Sequence, residues 1–166
     1  MQKLAVVYFP TINLEKVNSL RRKHDPNFHI IPPHITIVSP FYGISGNQLI
    51  SHFKNILKDA YSFSVHLTDL AKTEDGLLFL PVKEGREQLI NLHDRLYSGI
   101  LASYIPTDFP FVPHITLGNF GAEKSTLYRD AEKANFDITC VLNEMSIIKG
   151  DEISPAKIVK TIKLHN

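Results

Sequence analysis

The chain has 166 residues, 43% of them hydrophobic, enough to bury one sizeable core without support from disulfides or a metal. With Lys and Arg at 18 against Asp and Glu at 17, it lacks the strong field that holds long duplex nucleic acid through its phosphates, although short or terminal nucleotides stay open. The single cysteine, Cys140, excludes an internal disulfide and a Cys-x-x-Cys zinc or redox site, and points to a reducing cytoplasm.

Leu4 to Phe9 is a continuous apolar run closed by Pro10. It is too short for a signal sequence or a membrane span, and it fits a strand covered on both faces. No other stretch reaches membrane-spanning length, so a soluble chain is expected. Asn13 then caps a helix in which Leu14, Val17 and Leu20 share one face, and which ends before Pro26. After Ile31-Pro32-Pro33 comes His34-Ile35-Thr36-Ile37-Val38-Ser39, a β-branched strand again closed by a proline. Ser45 to Ala60 carries Leu49, Phe53, Ile56 and Leu57 at helical spacing, and Phe63 to Leu67 alternates like a half-exposed strand.

The second half repeats this order. A strand is expected at Leu77 to Val82, then a helix from about Arg86 to Tyr104 burying Leu89, Leu92, Leu96 and Ile100, then a strand at Pro113 to Leu117. A helix from about Glu123 to Ala134 follows, with one strand within Phe136 to Lys149 and a last within Lys157 to Leu164. No linker or low-complexity tract separates the halves, so residues 1–166 read as one domain of two intertwined lobes, about 1–73 and 74–166.

The informative signal is a repeat of residues. Pro33-His34-Ile35-Thr36-Ile37 returns 80 positions later (34 to 114) as Pro113-His114-Ile115-Thr116-Leu117, at the same step of the second half. Because side chains alternate along a strand, each motif presents an imidazole beside a hydroxyl on one face, with the isoleucine on the other. Core packing accounts for Ile35 and Ile115 but not for the paired His and Thr. Two histidines supply the base and the acid that phosphodiester cleavage needs, and the threonine hydroxyls can donate to the non-bridging oxygens. Opposite protonation states for the two imidazoles imply a bell-shaped pH dependence around neutrality. Gly118 leaves room for a phosphate or a backbone to approach.

On these two complete His-x-Thr motifs the chain resembles the 2H phosphoesterase superfamily, which includes the 2′-5′ RNA ligases and cyclic nucleotide phosphodiesterases. The element order matches over essentially the whole chain, and the residue-level match is confined to the two motif strands. The resemblance implies an α+β, duplicated bilobal fold, with antiparallel sheets facing a central cleft and helices packed outside. It implies hydrolysis or formation of 2′,3′-cyclic or 2′-5′ phosphodiester bonds in nucleotides or RNA ends, without a metal or other cofactor. His34 and His114 become the acid/base pair and Thr36 and Thr116 the phosphate ligands. A monomer without membrane attachment is expected.

Phe41 and Phe120 follow the motif strands at similar distances, where an aromatic ring either stacks on a base or anchors the core. Tyr8, Lys72 and Lys149 are further candidates to approach the substrate. His24, His29, His52, His66, His93 and His165 share no motif and read as surface or structural residues. Two other functions compete: a metal-dependent hydrolase, against which stands the lack of a His-Glu-x-x-His or Cys-pair pattern, and a non-catalytic nucleotide or RNA-end binding module.

Overall fold

The computed structural model describes residues 3–119, 126–151 and 153–166. The first half runs β1 (Lys3–Tyr8), α1 (Glu15–His24), β2 (Ile35–Phe41), α2 (Gly46–Leu57) and β3 (Phe63–Leu67). A two-residue strand, β4 (Ala71–Lys72), leads into β5 (Leu77–Pro81), α3 (Arg86–Leu96), a 3-10 helix (Gly99–Tyr104) and β6 (His114–Asn119). The chain then continues through α4 (Leu127–Ala134), β7 (Ile138–Leu142), β8 (Glu144–Gly150) and β9 (Lys157–Lys163).

Every strand pairing between these elements is antiparallel. Two arms, β4-β5-β6 and β2-β1-β8-β9, join into one sheet through a single residue pair, Ile35 with Ile115, while β3 and β7 form a separate ribbon. Ile35 and Ile115 hold the same position in the two repeats. An antiparallel pairing of a residue with its own counterpart places a local two-fold between them. The arms agree in detail: Val6 faces Val38 and Val7 faces Thr36, skipping Ile37, just as Leu78 faces Gly118 and Phe79 faces Thr116, skipping Leu117. The same bulge therefore recurs on each motif strand, and the burial pattern of residues 31–38 is repeated without change over 111–118.

The sheet buries one face against the helices. Val17 and Leu20 of α1, Leu49 and Phe53 of α2 and Leu89 and Leu96 of α3 pack there on Val6, Ile35, Ile37, Leu80 and Ile115. Each such aliphatic or aromatic side chain contributes about 1.5–3 kcal/mol on burial, which outweighs helix propensity in fixing where these segments lie. On the opposite face Ala5, Val7 and Ile148 form a separate small apolar cluster. α2 starts on a capping box, with the Ser45 hydroxyl accepting from the Gln48 amide and the Gln48 side chain returning to the Ser45 amide. Asn13 serves α1 in a similar way, its Oδ1 accepting from the Glu15 amide at 2.9 Å.

Two expected elements need correction. The helix expected from Arg86 to Tyr104 stops at Leu96, because Gly99 takes φ 53° and the chain continues as a tighter 3-10 turn. That change of winding buries Leu101 and leaves Ile100 42% exposed, where unbroken α-helical phase places Ile100 inside. The region Phe136 to Lys149 holds two strands, which separate at Asn143. α4 begins at Leu127, and the expected start near Glu123 lies outside the described residues. Among the described residues no helix is long and apolar enough to cross a membrane.

Gly118 faces a helix. Opposite Leu78 after the bulge, it lies under the end of α1, where an added Cβ would sit 2.8 Å from the Cβ of His24 and 2.9 Å from its carbonyl oxygen. The glycine thus admits backbone, not phosphate. Because the obstruction includes main chain, Gly118→Ala is expected to lower stability by about 1–3 kcal/mol. Denaturant midpoints would show this, and an unchanged midpoint would contradict the close approach.

Candidate active site

Each motif histidine begins its exposed-face run directly after a buried proline, Pro33 or Pro113. His34 Nδ1 lies 2.8 Å from the Pro32 carbonyl oxygen, and His114 Nδ1 lies 2.7 Å from that of Val112. A carbonyl can only accept, so Nδ1 is the protonated nitrogen in both rings and Nε2 carries the lone pair when the ring is neutral. The loop before each strand thus selects the same tautomer twice. Antiparallel pairing about Ile35 and Ile115 then sets His34 across from Thr116 and Thr36 across from His114, all four on the face opposite the isoleucines.

Both rings are half-buried, and their surroundings favour the neutral form. Burial lowers the His34 pKa to about 4, aided by the positive charges of Arg21 and His114 and opposed by the Pro32 carbonyl and Asp25. The pKa of His114 is also lowered by burial, against the opposing pull of the Val112 carbonyl.

His34, Thr36 and Thr116 line a cavity of about 240 Å³ with Ala5, Val7 and Ile148 as its apolar side. Phe9 meets the His34 ring edge-on with centroids 6.1 Å apart, and Phe79 meets His114 at 4.7 Å. The cavity also contains a pair that the sequence reading missed. Arg21, 2% exposed on the last turns of α1, donates Nε to Asp25 Oδ2 at 2.7 Å and Nη2 to the Ile31 carbonyl at 2.7 Å. Its Nη1 is buried and has no hydrogen-bond partner. Asp25 Oδ1 accepts from the Asn27 amide at 2.8 Å. A signal for this pair was present: Arg21 falls beside Val17 and Leu20 on the buried face of α1, with an aspartate four residues on. A buried donor left unpaired costs about 1–3 kcal/mol, so its retention calls for a reason.

The other lobe braces its motif loop differently. His93 of α3 stacks on Phe111 with ring centroids 3.9 Å apart and planes within 9°, while its Nδ1 meets Asp94 at 2.9 Å. Phe111 stands three residues before His114, as Ile31 does before His34.

Phe41 is buried in the core with its ring against Tyr104, so it is a packing anchor and offers no surface to a base. Phe120 lies outside the described residues. Tyr8 is fully buried and donates to the Val141 carbonyl at 2.8 Å, and burial, followed by Cys140 and Glu144, drives its phenol pKa upward. Lys72 reaches over the Tyr128 ring, and Lys149 borders a neighbouring surface cavity with Lys3 and Lys157. His24, His52, His66 and His165 are held by Asp130, the Leu96 carbonyl, Asp137 and the Lys58 carbonyl respectively. His29 meets the ring of Phe28. Among the described residues no three His, Cys, Asp or Glu side chains gather as metal ligands.

The chain is similar to known proteins at two levels, sequence and fold. The chain is 32% identical over 121 residues, 69% of each chain, to a Bacillus licheniformis protein that bears a provisional phosphoesterase name. It is 30% identical over 133 residues to a counterpart similarly named in Geobacillus thermodenitrificans, covering 76% of this chain and 75% of that one. In fold it is similar to E. coli LigT in complex with 3′-AMP, with a TM-score of 0.67 at 18% identity and 99% of each chain covered. TT0787 of Thermus thermophilus superposes with a TM-score of 0.67 at 15% identity, covering 99% of this chain and 98% of that one. The sequence profile of the 2′-5′ RNA ligase superfamily matches residues 9–153. Since both His-x-Thr strands fall inside that span, the chain belongs to the 2′-5′ RNA ligase superfamily, within the 2H phosphoesterases.

Proposed function

We propose that the whole chain, as one domain of two interlocked lobes, is a metal-independent phosphodiesterase acting on 2′,3′-cyclic or 2′-5′ phosphodiester bonds of nucleotides or RNA ends. The observation that carries this reading is the pair of histidines related by a local two-fold, each fixed in one tautomer and each on the same face as a threonine hydroxyl. A nucleotide-type substrate is supported by the 3′-AMP and NADP+ complexes of the LigT neighbour. The same groups run backwards would join RNA ends, by microscopic reversibility.

In the forward direction His34 acts as base. Its Nε2 takes a proton from the water that attacks phosphorus, and the Pro32 carbonyl holds the other ring nitrogen in place. His114 in its charged form delivers a proton from Nε2 to the departing oxygen as the P–O bond breaks. Thr36 and Thr116 donate to the non-bridging oxygens, where charge gathers in the transition state.

The pH dependence follows from these environments, and burial moves its maximum to the acid side of the neutral range expected from the sequence. The base must be neutral, so kcat/KM rises with pH through about 4, the His34 value. The acid must be charged, so kcat/KM falls again as pH passes a point below the ordinary histidine value of 6.5. A profile of kcat/KM on a 2′,3′-cyclic nucleotide, taken with and without chelator, checks this. The bell is expected on the acid side of neutrality and unchanged by chelation; an alkaline limb above pH 7 would contradict the assignment, and activity restored only by added metal would contradict the mechanism.

Substitutions at the four positions separate catalysis from binding. His34→Ala or His114→Ala should remove most turnover while ligand binding persists, and Thr36→Val or Thr116→Val should lower turnover by about a hundredfold each, the scale of one lost oxyanion donor. Wild-type protein that binds nucleotides yet turns over no cyclic or 2′-5′ phosphodiester would instead favour a binding module.

A further inference from the structure

The four motif side chains bring no permanent charge: two hydroxyls, and two imidazoles whose pKa values burial lowers. A phosphodiester brings a negative charge. We propose that Arg21 is the anion ligand of this cleft, its buried Nη1 donating to a non-bridging oxygen of the phosphoryl group held between the two His-x-Thr strands.

The geometry singles out that nitrogen. The guanidinium has five N–H donors in a rigid plane, and two of its three nitrogens are committed, Nε to Asp25 and Nη2 to the Ile31 carbonyl. These bonds hold the plane still and leave Nη1 as the unpartnered donor of a residue that lines the cavity with His34, Thr36 and Thr116. Asp25 is the other charged residue lining that cavity, and it offers the substrate little to collide with. One of its oxygens is taken by Arg21 and the other by the Asn27 amide. Asp25 therefore works as the orienting partner of the arginine.

The same bonds tie ligand and base together. Arg21 grips the carbonyl of Ile31, three residues before His34, so the segment that sets the imbalance between the two histidines is fixed to the group that receives the anion. In the other lobe the bracing residue toward Phe111 is His93, through an aromatic stack and not a guanidinium. The anion site is accordingly one-sided, on the His34 side of the local two-fold. A substrate anchored there presents its attacked face toward His34 and its departing oxygen toward His114. This inference rests on the phosphodiesterase reading only for the identity of the anion.

The test uses inorganic phosphate as the probe, with the side-chain nitrogen resonances of Arg21, His34 and His114 followed by NMR in the isotope-labelled wild-type protein. The Arg21 guanidinium signals should move with the same phosphate dependence as the His34 imidazole. In the Arg21→Met/Asp25→Asn double variant, which leaves no stranded carboxylate, phosphate affinity should fall roughly 10- to 100-fold, the scale of a charge-assisted hydrogen bond. An Arg21 signal that stays fixed while the imidazoles shift, an absence of phosphate binding at the cleft, or a folded double variant with wild-type affinity would each overturn the proposal. If the double variant fails to fold, the wild-type titration decides alone. Arg21-dependent phosphate binding in a protein that hydrolyses no phosphodiester would uphold this inference and defeat the hydrolase reading. Turnover together with Arg21-independent phosphate binding would do the reverse.

Discussion

The pairing of Ile35 with Ile115 is the contact on which the rest of the site depends. It is the one backbone register that joins the two arms of the sheet, and it sets a local two-fold between equivalent residues of the repeat. A slip by one residue would turn one motif's imidazole and hydroxyl into the helix-facing core. Both isoleucines are fully buried on that helix side, so the apolar packing of Ile35 and Ile115 is what holds the polar residues on either side of them to the opposite face.

From this register the local chemistry follows in order. The buried prolines end the preceding loops and start the two strands, the carbonyls of Pro32 and Val112 choose the imidazole tautomer, and the matched bulges at Ile37 and Leu117 end the regular alternation beyond each threonine. The symmetry stops at the helices. α1 places a clamped arginine against one motif loop, whereas α3 places a histidine stack against the other. A fully symmetric site would have no preferred acid and no preferred base. The departure from symmetry in the helix layer lets a duplicated scaffold support the division of labour between His34 and His114 that we propose.

Much of this is legible in the sequence because strand phase is local. The β-branched runs around Ile35 and Ile115, the prolines before them and the repeated His-x-Thr spacing announce the motif strands and their polar faces without long-range information. The helical stripes of α1 and α2 are readable for the same reason. What is not legible depends on contacts distant in sequence or on small changes of winding. The turn at Gly99 moves burial from Ile100 to Leu101, since one left-handed residue resets the phase of everything after it. Gly118 reads as room for either a phosphate or a backbone, and only the packing of α1 shows that backbone fills it. Phe41 looks like a rim aromatic by position but lies in the core on Tyr104. Arg21 and Asp25 carry only a faint sequence signal, an arginine on the apolar stripe of Val17 and Leu20 with an aspartate four residues on, and their significance comes from burial beside His34.

The central claim is that His34, Thr36, His114 and Thr116 act on one phosphoryl group. A crystal structure of the protein with inorganic phosphate tests it most directly. The account predicts a single phosphate within hydrogen-bonding distance of Nε2 of both histidines and Oγ1 of both threonines. A phosphate seated elsewhere with the four side chains unengaged, or one that meets only one of the two motifs, would contradict it.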